Sequence, residues 1–237
     1  MQALRIGMSR EGIEFRLRQS MKKIFFILTF ILLILEISGS AFAERDWEYW
    51  SRYSFEAPIT KTISYLIKPE WRMKNDMSYR YLFKLEQAIN FKIGKYFEVA
   101  PYYVYQETKS IGNVDRSDLV YLDGTAKVPL EKIFNLKIID RLRYQYNFDK
   151  ALTVWRNSTR LTKAFKIGKF ELSPFIENET FYDTKQDQFN ENWASAGISL
   201  VLNKYLNVSV AYLLDAKKKA NDWNYANVLV TSMSLRF

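Results

Sequence analysis

Apolar and polar residues alternate with a period of two over ten or more positions, and this pattern constrains the fold of the chain more than any other. In MSYRYLFKLEQ one side of an extended chain carries Tyr79, Tyr81, Phe83 and Leu85, and the other carries Ser78, Arg80, Lys84 and Glu86. NLKIIDRLRYQYN and YLNVSVAYLL separate in the same way. Strand side chains alternate between two faces, and helical spacing does not fit these windows. Strands of globular proteins usually span about 5–6 residues, whereas membrane-crossing strands need about 9–11. The pattern therefore predicts an all-β chain with strands of membrane-crossing length.

The segments between these strands predict how they connect. Counted back from the C-terminus, long polar segments (DAKKKANDWN, YDTKQDQFNEN, ETKSIGNVDRSD) alternate with short ones (LNKYL, AFKIGKF, PLEKIFN, NFKIGKY), and NFDKALT is intermediate. Short turns at one end and long loops at the other are typical of transmembrane β-barrels. Ten strands follow from Thr62 onwards, and residues 47–55 would make an eleventh. Because bacterial single-chain barrels have an even number of strands, we expect a transmembrane antiparallel up-and-down β-barrel of about ten strands, with twelve as the alternative. Residues 44–60 are then an N-terminal segment of uncertain pairing.

The C-terminal stretch VLVTSMSLRF ends on an aromatic residue, Phe237. In a closed barrel the last strand pairs with the first, so that no sheet edge is left bare. A terminal Phe after alternating residues also resembles the C-terminal signature of bacterial outer-membrane proteins. That resemblance implies that Phe237 is an assembly signal and that the barrel-assembly machinery is a partner. The alternative is a soluble sandwich whose last strand ends there.

The N-terminal region has the parts of a secretory signal peptide in the usual order. Two lysines precede the apolar run Ile24–Leu35, and Ala41 and Ala43 form an A-x-A cleavage motif. Glu36 ends the apolar run well short of the about 18 residues that a membrane anchor needs. We therefore expect cleavage after Ala43 and export to the bacterial outer membrane. The expected organisation is an upstream over-call of the start at residues 1–20, a signal peptide at 21–43 and the barrel at 44–237.

The chain contains neither cysteine nor histidine, and this limits the chemistry it can perform. Thiolate nucleophiles, Cys- or His-ligated metals and Ser–His–Asp triads are excluded. Glu177 and Glu179 would share one face of a strand as a carboxylate pair. Neighbouring arginines would keep both carboxylates ionised, which removes the raised-pKa acid that such a pair needs for catalysis. We expect a non-enzymatic protein without cofactor or metal.

The polar face of the strands carries charges of both signs. If the apolar face contacts lipid, the lumen collects Lys68, Glu70, Arg72, Arg80, Lys84, Glu86, Arg141, Arg143, Arg156, Arg160, Glu171, Glu177 and Glu179. Eight strands leave a filled interior, and sixteen or more leave an open channel. Because unpaired buried charge is costly, we expect these side chains to pair and to fill much of the lumen. The alternative is a thin, weakly selective pore.

Aromatic residues near the strand ends are typical of the girdles of membrane barrels. The predicted girdle consists of Trp71, Tyr103, Tyr105, Tyr182, Trp193, Trp223 and Tyr225. A sugar-stacking surface is the alternative reading of these residues. The formal net charge of +9 is spread along the chain, which favours a solvated surface or a charged lumen over a binding patch. An exported protein of this charge would meet outer-membrane lipid and lipopolysaccharide, not nucleic acid, and the sequence identifies no specific ligand.

The order of several short segments resembles a known family. These are DWEYWSRYSF, PEWRM, RLRYQY, RNSTRLT, SPFIENETFYD and the closing strand. They resemble the outer-membrane β-barrel family catalogued as domain of unknown function 2490, which implies a barrel in the outer membrane and no assigned activity. We expect a small barrel with a structural or envelope-interaction role, with the polar loops as its contact surface. The alternatives are a narrow diffusion pore and a soluble periplasmic β-protein.

Overall fold

The computed structural model describes residues 47–130, 136–168, 170–219 and 222–237. They form twelve strands: β1 Trp47–Pro58, β2 Ile63–Lys74, β3 Tyr79–Ile93, β4 Phe97–Ser110, β5 Asn113–Leu130, β6 Leu136–Asn147, β7 Leu152–Lys163, β8 Phe165–Ile167, β9 Phe170–Asp183, β10 Gln188–Val201, β11 Leu206–Lys219 and β12 Asp222–Arg236. Within these ranges there is no helix that is long and apolar enough to cross a membrane. The predictions for residues 1–20 and 21–43, including cleavage at Ala41 and Ala43, lie outside the described residues.

Eleven of the strands close into a β-barrel, which confirms the all-β, largely up-and-down antiparallel fold. The ring runs from β1 to β7 in chain order, continues through β9 to β12 and returns to β1. β8 is a three-residue strand that pairs only with β9. The number of strands in the ring is thus eleven, not the expected ten or twelve. The difference arises because residues 47–58, which we predicted to pair uncertainly, form a complete strand.

The barrel closes through a parallel pair, β1 with β12, and every other pair in the ring is antiparallel. The register runs from Trp47 opposite Asn227 to Glu56 opposite Arg236. In an up-and-down ring with an odd number of strands, the first and last strands run in the same direction, so a parallel seam is required. Arg236 pairs with Glu56 at 2.7 Å, and the backbone N–H of Phe237 donates to the Glu56 carbonyl at 3.0 Å. The barrel therefore has an N-terminal rim, where β1 and β12 begin, and a C-terminal rim, where both end.

Tight turns close both rims, so the prediction of long loops at one rim was wrong. β4 and β5 are joined only by Ile111 and Gly112, and Gly112 adopts a positive φ of 79°. Residues 184–187 alone separate β9 from β10 at the same N-terminal rim, and residues 202–205 alone separate β10 from β11 at the C-terminal rim. The long polar segments of the sequence form hairpin extensions of the strands. Both faces of such an extension are polar, so the sequence there lacks the alternation that predicts a strand, and we predicted loops.

The two walls of the barrel differ in polarity. The inner wall carries buried charged and polar side chains together with two buried apolar clusters, one around Trp50 and Trp193 and the other around Tyr102 and Tyr121. The outer wall exposes large apolar side chains on most strands. The period of two in the sequence produces this difference, since alternate residues of a strand face opposite walls.

Candidate functional site

One half of the lumenal charge network is centred on Glu179 of β9. Its Oε1 atom accepts hydrogen bonds from Arg141 Nη2 of β6 at 2.7 Å and from Arg156 Nε of β7 at 2.9 Å. Two residues earlier on the same face, Glu177 accepts a hydrogen bond from Arg160 Nε at 2.8 Å. Glu179 is only 5% exposed, and a buried carboxylate is tolerated when cations and hydrogen bonds surround it.

The other half is a chain of ion pairs that crosses four strands. Arg143 binds Asp123 through two hydrogen bonds, of 2.6 and 2.8 Å, and lies 3.7 Å from Glu86. Lys84 connects Glu86, at 2.8 Å, to Glu70, at 3.4 Å. Arg72 also pairs with Glu70. Each of these buried carboxylates therefore has at least one cation beside it, as a buried charge requires.

An aromatic group packs against the network inside the barrel. The rings of Trp50 and Trp193 meet edge to face with centroids 4.9 Å apart, and the Arg72 guanidinium lies 3.6 Å from the Trp50 ring. Trp193 Nε1 donates to Glu191 at 2.9 Å and to Asp215 at 3.0 Å. Trp193 is therefore an inner-wall residue, and its assignment to the girdle does not agree with the structure.

A β-bulge displaces another predicted lumenal residue. The register between β2 and β3 shifts between Arg72 and Met73, so that Arg72 lies opposite Leu82 and Met73 lies opposite Arg80. Arg80 is exposed as a result. Tyr81 takes the inner position and donates a hydrogen bond to Glu48 at 2.8 Å. Strict alternation assigned Arg80 to the lumen and Tyr81 to the outer wall, and the bulge reverses both positions.

The remaining predicted charges surround a lumenal cavity of about 380 Å³. Its charged lining consists of Arg52, Lys68, Arg72, Lys84, Arg141, Arg143, Arg156, Arg160, Glu70, Glu86, Glu177 and Glu179. Cations outnumber carboxylates, and Lys68 makes its 2.7 Å hydrogen bond to the Tyr102 hydroxyl. A second cavity of about 230 Å³ shares Lys68 and Arg141 with the first and is also lined by Glu56 and Arg236 near the C-terminal rim. Glu171 is half-buried and lines neither cavity.

Sequence reasoning missed two members of the network, Arg52 and Asp123. Arg52 lies on β1, opposite Glu70, at an N–O distance of 3.4 Å. If WEYWSRYSF had been assigned as a strand, its alternation would have placed Arg52 on the same face as Trp50. Asp123 sits opposite Arg143 between β5 and β6, where the small residues around Gly124 weaken the pattern. No group of three or more potential metal ligands occurs among the described residues.

The other predicted girdle residues lie on the outer wall. Trp71 packs edge to face against Tyr53 at 5.5 Å, Tyr103 donates a hydrogen bond to Asp118, and Tyr182 packs against Phe189. Tyr105, Trp223 and Tyr225 are on the same wall by strand register. A second set of exposed aromatic residues, which the prediction omitted, lies near the C-terminal rim: Tyr96, Phe97, Phe170, Tyr205 and Phe237.

Comparison with known proteins gives one family match. The sequence model of a family described as "Protein of unknown function (DUF2490)" matches residues 47–226. The match begins at the first residue of β1 and ends within β12, so it includes both strands of the parallel seam. No curated protein matches the chain.

Proposed function

The chain belongs to the DUF2490 family of proteins of unknown function, and from its closed barrel we propose that it is a small, non-enzymatic outer-membrane β-barrel with a structural or envelope-interaction role. Its lumen is largely filled by paired charged side chains. It acts through its outer wall and its rims, where outer-membrane lipid and lipopolysaccharide are the partners that its surface fits. Phe237, exposed at the C-terminal rim, is the proposed signal for the barrel-assembly machinery.

The polarity of the two walls carries this proposal. Ile89, Leu122, Leu142, Ile176 and Val210 lie on five different strands, and each is between 42% and 50% exposed. Large exposed apolar surfaces mark sites of contact with a membrane or with another protein. The buried interior, in contrast, holds the ion pairs centred on Glu179 and Arg143. A barrel wall that is apolar outside and charged inside suits a lipid bilayer. The closed sheet also satisfies its backbone hydrogen bonds internally, as a membrane-spanning structure must.

Pairing inside the lumen supports a structural role over transport. Trp50 is fully buried, and Trp193, Phe181 and Val230 fill the same part of the barrel. The ion pairs cross-connect β2, β3, β5 and β6 on one side and β6, β7 and β9 on the other. Removing any of these charges would leave its partners buried with less compensating charge, so the network favours one fixed, closed arrangement.

A narrow diffusion pore is the second candidate, and one observation favours it. The 380 Å³ cavity shares lining residues with the 230 Å³ cavity nearer the C-terminal rim. The cation excess around the first cavity would make such a path prefer anions.

Single-channel conductance in planar bilayers tests the proposal, once a heat-shifted gel band shows that the refolded protein is a barrel. We expect the folded protein to be silent. Discrete steps that change size in Arg143→Gln or Glu177→Gln, but not in the outer-wall control Arg80→Gln, would establish the pore instead. Recovery of the mature protein in an osmotic-shock fraction without detergent would refute membrane placement and support a soluble periplasmic protein.

A further inference from the structure

A polar patch interrupts the apolar outer wall halfway along its strands. It consists of Asp140 of β6, Asn157 and Thr159 of β7, Asn178 of β9 and Asn192 of β10. Asn157, Thr159 and Asn178 are exposed, whereas Ser158 on β7 and Glu179 on β9 are buried in the lumen. Asn157 is the sixth of twelve residues in β7, and Asn178 is the ninth of fourteen in β9. The patch thus lies away from both rims, at the depth where a membrane barrel contacts hydrocarbon.

Hydrogen bonds join the patch in two halves, one across β6 and β7 and the other across β9 and β10. Asp140 accepts from Asn157 Nδ2 at 3.3 Å and from the Thr159 hydroxyl at 2.6 Å. Asn178 and Asn192 donate to each other, at 3.2 and 3.3 Å. Each amide has two N–H donors and an oxygen with two lone pairs, so these bonds use only part of the capacity of the patch. Asn157 and Asn178 also donate to the backbone carbonyls of Arg141 and Trp193, both at 3.5 Å.

Two other polar residues of the outer wall, Gln87 and Asn227, each accept a hydrogen bond from a neighbouring tyrosine. The Tyr65 hydroxyl donates to Gln87 at 2.6 Å, and the Tyr212 hydroxyl donates to Asn227 at 2.8 Å. Asn227 is completely buried although it lies on the outer wall. At these positions a tyrosine ring covers the polar group and presents an apolar surface. No described tyrosine hydroxyl donates to Asp140, Asn157, Thr159, Asn178 or Asn192.

Exposed apolar residues surround the patch. Leu142 lies opposite Asn157 between β6 and β7, and Ile176 precedes Asn178 by two residues on β9. Both are nearly half exposed. A polar centre with an apolar border is the composition of helix interfaces that form in lipid, where an unpaired polar group gains more from another protein than from hydrocarbon.

We propose that this patch is the interface through which two copies of the chain associate within the membrane. The patch is self-complementary, because an asparagine amide is both donor and acceptor and can bind another asparagine amide. A two-fold interface needs this property, since it brings the same surface of both copies together. With the axis along the membrane normal between β7 and β9, the β7 side of the patch in one copy faces the β9 side in the other. The inference rests on the proposed membrane location.

The absence of cysteine from the chain makes thiol cross-linking a direct test. Asn178→Cys is compared with Ile89→Cys, an exposed outer-wall position on β3, on the far side of the ring. Intact membranes containing either variant are treated with a short bis-maleimide. We expect a dimer-sized product from Asn178→Cys and background from Ile89→Cys. Equal yields from the two variants would overturn the proposal, and so would a product of another mass, which would identify a different protein as the partner.

Apolar replacement gives a second measurement that does not depend on cysteine. Asn157→Leu with Asn178→Leu should leave the heat-shifted band intact, because leucine suits a lipid-facing wall. The dimer association constant in vesicles should fall about tenfold or more as the interprotein hydrogen bonds are lost. An unchanged constant would refute the interface. Complete extraction of the wild-type chain from membranes by alkaline carbonate would instead refute the membrane location, whatever the cross-linking shows.

Discussion

Replacing Glu179 by Gln should destabilise the barrel more than any other single isosteric change on β9. The Glu179 carboxylate lies 2.7 Å from Arg141 Nη2 and 2.8 Å from Arg156 Nη2, so a neutral amide leaves two neighbouring guanidinium groups without their shared counter-charge. Breaking a buried ion pair costs about 3–5 kcal/mol. Glutamine keeps an acceptor oxygen, and we expect a loss near the lower limit, about 3 kcal/mol. The measurement is the free energy of unfolding by urea in lipid vesicles, followed by tryptophan fluorescence.

Glu177→Gln is the matched control, because Glu177 lies on the same strand and face. Its partner Arg160 has a side chain that is 39% exposed. Water therefore screens this pair, and we expect a loss of about 1 kcal/mol or less. In the Glu179→Gln background, adding Arg156→Gln should cost less than it does alone, because the unbalanced positive charge is then reduced. Equal losses for the two glutamate variants, or additive effects in the double variant, would refute the ion-pair reasoning.

Three further predictions use the same unfolding measurement and the heat-shifted gel band. Gly197→Ala should cost about 1–3 kcal/mol, because a Cβ built there lies 2.5 Å from the Val210 carbonyl oxygen and the backbone must move; a neutral result would show that the sheet adjusts freely. Arg72→Gln should cost about 3 kcal/mol by leaving Glu70 with fewer cations, whereas Arg80→Gln on the exposed side of the bulge should change stability by at most about 0.5 kcal/mol. Deletion of β1 should abolish the heat-shifted band, since β2 and β12 would both lose a partner, and survival of the band would show that the seam is dispensable.

The alternation of the sequence predicted the two walls of the barrel wherever the strands are regular. It assigned residues such as Glu70, Arg143 and Glu179 to one face, and the structure places them together around one cavity. It failed at Arg80, where a bulge changes the face of the strand, and no local composition reveals a bulge.

The error at Trp193 has a different cause. Its neighbours Asn192 and Ala194 are the outward-facing residues, and neither is a large apolar side chain, so inner and outer faces have no contrast there. The polar patch thus removed the signal on which the prediction depended. The strand count failed because a parity rule taken from other barrels outweighed the alternation in WEYWSRYSF.

The parallel seam also determines how the barrel can be oriented by experiment. β1 starts at one rim and β12 ends at the other. In the proposed membrane location, a peptide epitope fused directly before Trp47 and one fused after Phe237 would therefore emerge on opposite sides of the membrane. In an even-stranded barrel both epitopes would report the same side. Antibody access to the two epitopes on intact cells would therefore give the orientation of the chain and, from the same pair of samples, an independent count of odd or even strands.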